Sequence, residues 1–445
     1  MSLALWIGVP GILFLRSYKT RCPVVGLLLG YCMQLGLIHL TGGIIQLLPW
    51  YTSTTRADTL AGFPITGYVL IGLLAGHSLA QPGVLRRSRP GVRDQQPVLR
   101  SPETGWMCIG VGLVAYFGLM GSAFSFASLS SVVANGLNLA AIGFCFEWWF
   151  YYRSGQKQLA WHIAAGVLLL PVLTVLLMGF LGFGINAVLI LCAFVAVSGV
   201  PRRTILIGGT LLAFGLISIW TVYMGVRSQI RDSVWGGEGL QQRAAVVSSN
   251  VQNNWGWFSL GNNSQLDQID ERLNQNSLLG AAVRELEAGH VKFAEGETLQ
   301  NMLFALVPRM IWRDKPIYAG SGMLVTRFTG MEFGAGTSVG IGHVMEIYVN
   351  YGKTGVLIGF TIIGILLSVL DIAAAEYLYL GRLEEFLLCF VAGSTFLTVG
   401  GVLAESPPAF IGSMALTFLV SRVFLPTISS RPIRAPGCPK LRNHT

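Results

Sequence analysis

Arg309, Arg313 and Lys315 crowd around Trp312 in the run Val307-Pro-Arg-Met-Ile-Trp-Arg-Asp-Lys-Pro316. Guanidinium forks grip paired anionic oxygens bidentately and stay charged at every physiological pH. This is therefore the place where the chain can hold a strongly anionic group. Further on, His343, Glu346 and Asn350 recur at i, i+3 and i+7, which is one face of a helix. An imidazole or carboxylate so placed can take or give a proton when a reacting group comes within hydrogen-bond reach. Glu297 is a further acid–base candidate, although a carboxylate at a helix start also complements the helix dipole. Arg327 adds a fourth cation from a glycine-rich stretch. Glu405, in a short turn before Ser406-Pro-Pro408, is an acidic residue between apolar segments, where such residues are functional candidates by default.

The elements that must position these groups are helical. Leu266, Ile269, Leu273, Leu279, Val283 and Leu286 recur at mostly three- and four-residue steps, which predicts an amphipathic helix over 266–286 stopped near Gly289. A second helix is expected from Glu297-Thr298 to Val307, limited by Pro308. Gly320, Gly322, Gly330, Gly334, Gly336, Gly340 and Gly342 then give a mobile or tightly turned backbone. A hydrophobic helix follows from about His343. Asp267, Asp270, Glu271 and Arg272 fall on the polar side of the 266–286 helix and read as solvated rather than as a metal site. Arg56 and Asp58 are expected to pair with each other. None of the seven cysteines lies in this region and no pair has metal-ligand spacing, so neither a zinc site nor a disulfide framework is implied.

Composition places these helices beside a membrane. The 445 residues are 53% hydrophobic and only 11% charged, with mean hydropathy +0.60, against about 25% charged in a soluble domain. We expect an all-α, polytopic integral membrane protein with about eleven transmembrane helices, at about 3–15, 24–48, 61–82, 105–127, 129–151, 159–179, 183–200, 204–225, 354–378, 385–403 and 407–425. The short alternating segments of a β-barrel are missing. No basic region precedes the apolar stretch 3–15, so the first span is expected to be retained. Alternate short loops carry eighteen Lys and Arg on one side against Arg56 alone on the other. The rule that positive loops stay inside then puts the N-terminus outside, the C-terminus in the cytoplasm and the long 226–352 loop outside. The resulting division is a membrane block of about eight spans (1–225), an external loop with the candidate site (226–352), a membrane block of about three spans (353–425) and a basic cytoplasmic tail (426–445). The net charge of +9 is explained by these loops and does not imply nucleic acid. His39, His77 and His162 lack acidic partners in the spans, and Asn135, Asn138 and Asn186 are expected to bond between helices.

The run Glu295-Gly-Glu297-Thr-Leu, then Val307-Pro-Arg309-x-x-Trp312-x-Asp314-Lys315-Pro316, the glycine loop and Gly342-x-x-x-Glu346-x-Tyr348-x-Asn350-Tyr-Gly352 resembles the oligosaccharide repeat-unit polymerases. These are the Wzy-type polymerases of bacterial O-antigen and exopolysaccharide. The likeness covers residues 295–352 and elsewhere only the topology. It implies a metal-independent glycosyltransferase without cofactors, in the bacterial inner membrane. The enzyme would transfer a glycan from undecaprenyl pyrophosphate onto the terminal sugar of a lipid-linked repeat unit, on the external face, with membrane lipid and a chain-length regulator as partners. In that chemistry Arg309 would be catalytic with Glu346, His343 and Glu297. Arg313, Lys315, Arg327, Trp312, Tyr348 and Glu405 would bind the pyrophosphate and glycan. O-antigen ligases share the plan and are the nearest alternative. A lipid-linked oligosaccharide flippase is the alternative of another class, disfavoured because charge gathers in loops rather than in the spans.

Overall fold

The computed structural model describes residues 2–19, 23–87, 102–119, 132–254, 256–307, 312, 321–333 and 339–424. Among the described residues every regular element is helical and there is no strand. In chain order these include α1 (Ser2–Lys19), α2 (Leu27–Ile45), α3 (Arg56–Gly62), α4 (Ile65–Arg87), α5 (Glu103–Leu113), α6 (Gly136–Arg153), α7 (Lys157–Gly166), α8 (Leu169–Met178) and α9 (Gly182–Val197). They continue with α10 (Arg202–Trp235), α11 (Leu240–Asn254), α12 (Asn263–Arg272), α13 (Gln275–Glu287), α14 (Glu297–Ala305), α15 (Ser321–Thr329), α16 (Gly342–Tyr379), α17 (Leu383–Ser394) and α18 (Ser406–Phe424).

Six described helices are long and apolar enough to cross a membrane: Leu27–Ile45, Arg56–Gln81, Lys157–Met178, Arg202–Trp235, Gly342–Tyr379 and Leu403–Val423. The expected eleven spans are corrected to these six, each matching one expected segment. Ser2–Arg16 and Gly182–Val197 are apolar but shorter. In α6 the apolar run is diluted by Asn138, Glu147 and Arg153. Helix α17 stops after 12 residues and gives way to a 3₁₀ turn. The segment expected at 105–127 runs beyond the described residues. Exposed Leu206 and Leu211 on α10, Ile358 and Ile362 on α16, and Phe418 and Leu419 on α18 form the apolar outer face, as lipid-facing helices require.

Two cores hold the bundle. One packs Phe146, Trp148, Phe194, Phe386 and Phe390 between α6, α9 and α17. The other packs Tyr31, Leu70, Leu279, Phe328, Tyr348 and Phe360 between α2, α4, α13, α15 and α16. Helices α4 and α16 approach backbone to backbone, since a side chain at Gly76 would collide with the carbonyl of Thr361. Close contact through small residues is how helices associate in lipid, where apolar side chains gain nothing by leaving the tails. Asp371 of α16 accepts the backbone N–H groups of Val25 and Gly26, both at 2.7 Å, and so closes the start of α2.

The segment between α10 and α16 is folded, with four departures from expectation. Helix α10 continues to Trp235, past the expected loop start at 226. The single helix expected over 266–286 is two, α12 and α13, broken at Asn274. The Asn274 amide bonds sideways to Asp270 at 2.7 Å and Thr59 at 2.7 Å. The periodic apolar positions are nonetheless buried across both helices. Asp270 is not solvated. It is buried and accepts from Gln46, Ser53 and Thr55 as well, which staples the 46–55 turn to α12. Asp58 pairs not with Arg56 but with Arg284 of α13 at 2.5 Å. Helix α16 breaks at Tyr351 and Gly352 (φ +62°), the position expected for re-entry into the membrane.

Candidate functional site

The start of α14 is locked onto the first turns of α16. Glu295 (φ +48°) and Gly296 (φ +97°) are successive left-handed residues, and Glu295 is the one non-glycine with positive φ among the described residues. Such a residue costs about 1–3 kcal/mol and persists only where surrounding contacts over-determine it. Here Asn350 supplies those contacts. Its Oδ1 accepts the Gly296 N–H at 2.9 Å, and its Nδ2 donates to Thr298 Oγ1 at 2.6 Å and to the Glu346 carbonyl at 2.7 Å. The Ala294 N–H donates to the Val349 carbonyl at 2.9 Å. The two motif runs singled out in the sequence are therefore held against one another by Asn350.

Glu346 and His343 lie one turn apart, both buried. Glu346 Oε2 accepts the Leu403 N–H at 2.5 Å, while Oε1 is buried without a well-formed hydrogen bond, the Thr298 hydroxyl lying near enough to act on the carboxyl. The His343 N–H donates to the Val399 carbonyl, and its Nδ1 lies 2.9 Å from the Tyr31 hydroxyl, with the two rings stacked 6.1 Å apart. Its Nε2 is buried and unpartnered. If Nδ1 donates to Tyr31, Nε2 is a free lone pair; if Nδ1 accepts, Nε2 carries a free proton. The turn 399–403, which answers both residues, is fixed through glycine. A side chain at Gly340 would collide with the Gly400 carbonyl, and one at Gly342 (φ +71°) would collide with Gln275.

The other candidates are placed as follows. Glu297 accepts both guanidinium N–H groups of Arg327 at 2.9 Å, so these two are partners of each other, exposed and outside the buried pair. Hydrogen bonding to Arg327 holds the Glu297 carboxyl below its ordinary range. Tyr348 is packed in the core beside Phe293. Glu405 sits exposed at the end of the short turn Leu403–Glu405, close enough for its charge to act on Glu346. Trp312 packs edge-on against Phe304 of α14, ring centroids 5.8 Å apart. Arg309, Arg313 and Lys315 lie outside the described residues. Among the described residues no group of three His, Cys, Asp or Glu side chains could hold a metal ion.

An apolar cleft of about 1000 Å³ runs between α16 and α18, with Ile358, Ile362, Phe410 and Ile411 along its length. Leu299 and Met302 of α14, Leu306 just past its end, and Ile347, Leu403 and Ser406 complete its lining. Leu403, part of that lining, donates its N–H to the Glu346 carboxylate. In the sequence, Arg309, Arg313 and Lys315 follow within ten residues of the end of α14.

Sequence reasoning missed a second cavity, of about 510 Å³, lined by Arg227 and Arg231 of α10, Arg272 of α12, Glu271, Tyr223, Trp220 and Gly340. The expected loop start at 226 places Arg227 and Arg231 in the loop rather than on the helix. The available signal was their i, i+4 spacing at the end of a long apolar helix, which stacks them on one face.

A family model described as "Domain of unknown function (DUF8712)" matches residues 93–392, about two-thirds of the chain. That span includes Glu297, Arg309, His343 and Glu346. No curated protein and no solved structure matches.

Proposed function

We propose that this chain, which belongs to the DUF8712 family of unknown function, is a membrane glycosyltransferase. It polymerises oligosaccharide repeat units carried on undecaprenyl pyrophosphate, on the external face of a bacterial inner membrane. The observation that carries the reading is one juxtaposition: an apolar cleft whose lining residue Leu403 holds the buried Glu346, one turn from the buried His343, and which is also lined by α14, the helix that precedes Arg309, Arg313 and Lys315 in the sequence. A lipid-linked glycan donor asks for those three things together. The polyprenyl tail lies in the α16–α18 cleft. The cationic turn neutralises the pyrophosphate as it leaves, and stabilising charge that develops in the transition state is commonly the largest catalytic contribution.

In this reading the acceptor hydroxyl oxygen forms a bond to the donor's anomeric carbon, and the bond from that carbon to the pyrophosphate oxygen breaks. The hydroxyl proton passes to Glu346 or, through its free nitrogen, to His343. Undecaprenyl pyrophosphate departs, and the growing chain remains on the acceptor's lipid. Glu346 Oε1 is buried, so the elements around it have to shift for the hydroxyl to arrive. Glu297 and Arg327 serve as a brace between α14 and α15.

The test is elongation by purified protein in detergent, supplied with undecaprenyl-pyrophosphate-linked repeat units. We expect glycans of several repeats and release of undecaprenyl pyrophosphate in proportion, insensitive to EDTA. A strain lacking the protein should keep single repeats and lose polymer. If that strain instead accumulates full-length polymer on undecaprenyl pyrophosphate, the protein is a ligase and the polymerase reading fails.

A further inference from the structure

Trp220 of α10 stands between two cavities of opposite character. On one side is the 510 Å³ cavity of Arg227, Arg231 and Arg272. On the other is an apolar cavity of about 380 Å³, lined from α1, α2, α9 and α10 by residues such as Trp6, Leu37, Leu189 and Ile217. The indole N–H of Trp220 is buried and has no acceptor.

The arginines are held in place without being neutralised. The Arg231 guanidinium lies over Phe180 at 4.4 Å and Trp235 at 5.3 Å, and its Nε donates to the Gly179 carbonyl. The Tyr223 hydroxyl donates to the same carbonyl at 2.8 Å. The charges of Arg231 and Arg272 both act on Arg227, and no ion pair among the described residues engages any of the three. Glu271 also lines the cavity but pairs with none of them. Concentrating like charge in a half-enclosed cavity is costly unless an anion arrives to offset it. Three guanidiniums exceed what one carboxylate needs and suit the several oxygens of a diphosphate.

We propose that this pair of cavities is a second lipid-diphosphate site. The arginines take a phosphate or diphosphate group, Trp220 donates to it, and the apolar cavity takes the first isoprene units. Polymerisation of lipid-linked units consumes two such lipids at once. The α16–α18 cleft takes one, and this site takes the other, the acceptor. Only that acceptor role rests on the polymerase reading; the binding claim does not. Gln275 joins the two regions, because it lines the arginine cavity and donates to the carbonyls of Gly340 and Gly400, beside the turn that holds His343 and Glu346.

The experiment measures binding of farnesyl diphosphate and of inorganic pyrophosphate to the purified full-length protein in detergent, by titration calorimetry, with no turnover required. We expect two farnesyl diphosphates per chain. The double variant Arg227→Gln/Arg272→Gln should lose one site by at least about tenfold while retaining its thermal midpoint, and Arg309→Gln should lose the other. Arg227→Lys, which preserves charge and packing, should weaken the first site less. If the double variant binds farnesyl diphosphate as the wild type does, the proposal is overturned; a single wild-type site that the double variant loses upholds this site and counts against the α16–α18 cleft. Pyrophosphate binding as tightly as farnesyl diphosphate would overturn the lipid in favour of a free phosphate. If two sites are found but no elongation occurs, the polymerase reading falls and this one stands.

Discussion

Asp270 and Glu346 are both buried carboxylates in the segment between the long helices α10 and α16 or at its edge, and their surroundings answer them differently. Asp270 receives Gln46 and Asn274 on one oxygen, and Ser53, Thr55 and, more distantly, Tyr51 on the other. Glu346 receives one backbone N–H, and beyond it the Thr298 hydroxyl alone among the described residues lies near enough to act on the carboxyl as a donor. A fully satisfied polar network rigidifies a fold, whereas a partly satisfied one carries a desolvation penalty that needs another explanation. The first carboxylate therefore docks the segment between α10 and α16 onto the 46–55 turn; in the proposed reading the second is the one available for chemistry. An oxygen without a well-formed hydrogen bond would not alone make that case, because Glu147 has one too. Glu346 differs in sharing a helix face with His343 and in being held by Leu403 of the apolar cleft.

Exchanging charge for amide at the two positions tests the comparison most severely. Glu346→Gln should lower elongation by roughly 10²–10⁴-fold, the ordinary worth of a general base, while the thermal midpoint holds or rises. Arg309→Ala should cost roughly 10²–10³-fold, as loss of one oxyanion-stabilising donor does. Arg309→Lys should rescue poorly, because a point charge does not replace a bidentate fork. Asp270→Asn should do the opposite of Glu346→Gln. It turns an acceptor toward donors that then lose their partner, destabilising the fold by roughly 2–3 kcal/mol, with turnover per folded molecule unchanged. Denaturant midpoints and turnover measured on the same preparations decide it. Loss of stability in Glu346→Gln together with loss of chemistry alone in Asp270→Asn would reverse the comparison.

Much of this contrast could be read in the sequence on the Glu346 side and little of it on the other. His343, Glu346 and Asn350 lie on one helix face because a period of 3.6 is a local property, visible without knowing the fold. Asn350 showed as a motif residue, but its work as a clamp depends on Gly296 and Thr298, which local pattern cannot bring to it. Asp270 looked solvated because it follows the polar face of its own helix. The 46–55 turn that covers it comes from far away in the chain. The Asp58–Arg284 pair was hidden for the same reason. The span count failed differently. Length and hydropathy identify a helix that crosses lipid unaided, but α6 and α17 are dilute or short and are buried by neighbours. The arginine cavity was missed because the expected loop began at 226, which cut Arg227 and Arg231 off from the helix that aligns them.

A smaller test works on the backbone between the two regions. Gly340 has no room for a methyl group against the Gly400 carbonyl. Gly340→Ala should therefore shift the 399–403 turn, lowering stability by roughly 1–3 kcal/mol as overpacking does, and should reduce turnover by more than the loss of folded protein explains. If turnover per folded molecule is unchanged, the turn does not position Glu346.

The smallest expected effect concerns Glu297, where sequence and structure give it different work. As a catalytic base its loss would cost roughly 10²-fold or more. As half of an exposed pair with Arg327 it is screened by solvent, and such pairs are worth roughly 0.2–1 kcal/mol. Glu297→Gln should then leave elongation at neutral pH within about fivefold, the equivalent of 1 kcal/mol. The pair should instead show itself in acid. Arg327 holds the folded Glu297 carboxyl below its unfolded value, so its stabilisation is fully present above the ordinary carboxylate range. It is lost as pH falls through the folded value, where the native carboxylate finally takes up its proton. Wild type should accordingly lose stability slightly faster than Glu297→Gln as pH falls through and below that range, and the gap should shrink in high salt. A large fall in turnover at neutral pH, with the acid slope unchanged, would return Glu297 to the catalytic set. The brace between α14 and α15 would then have to be sought elsewhere.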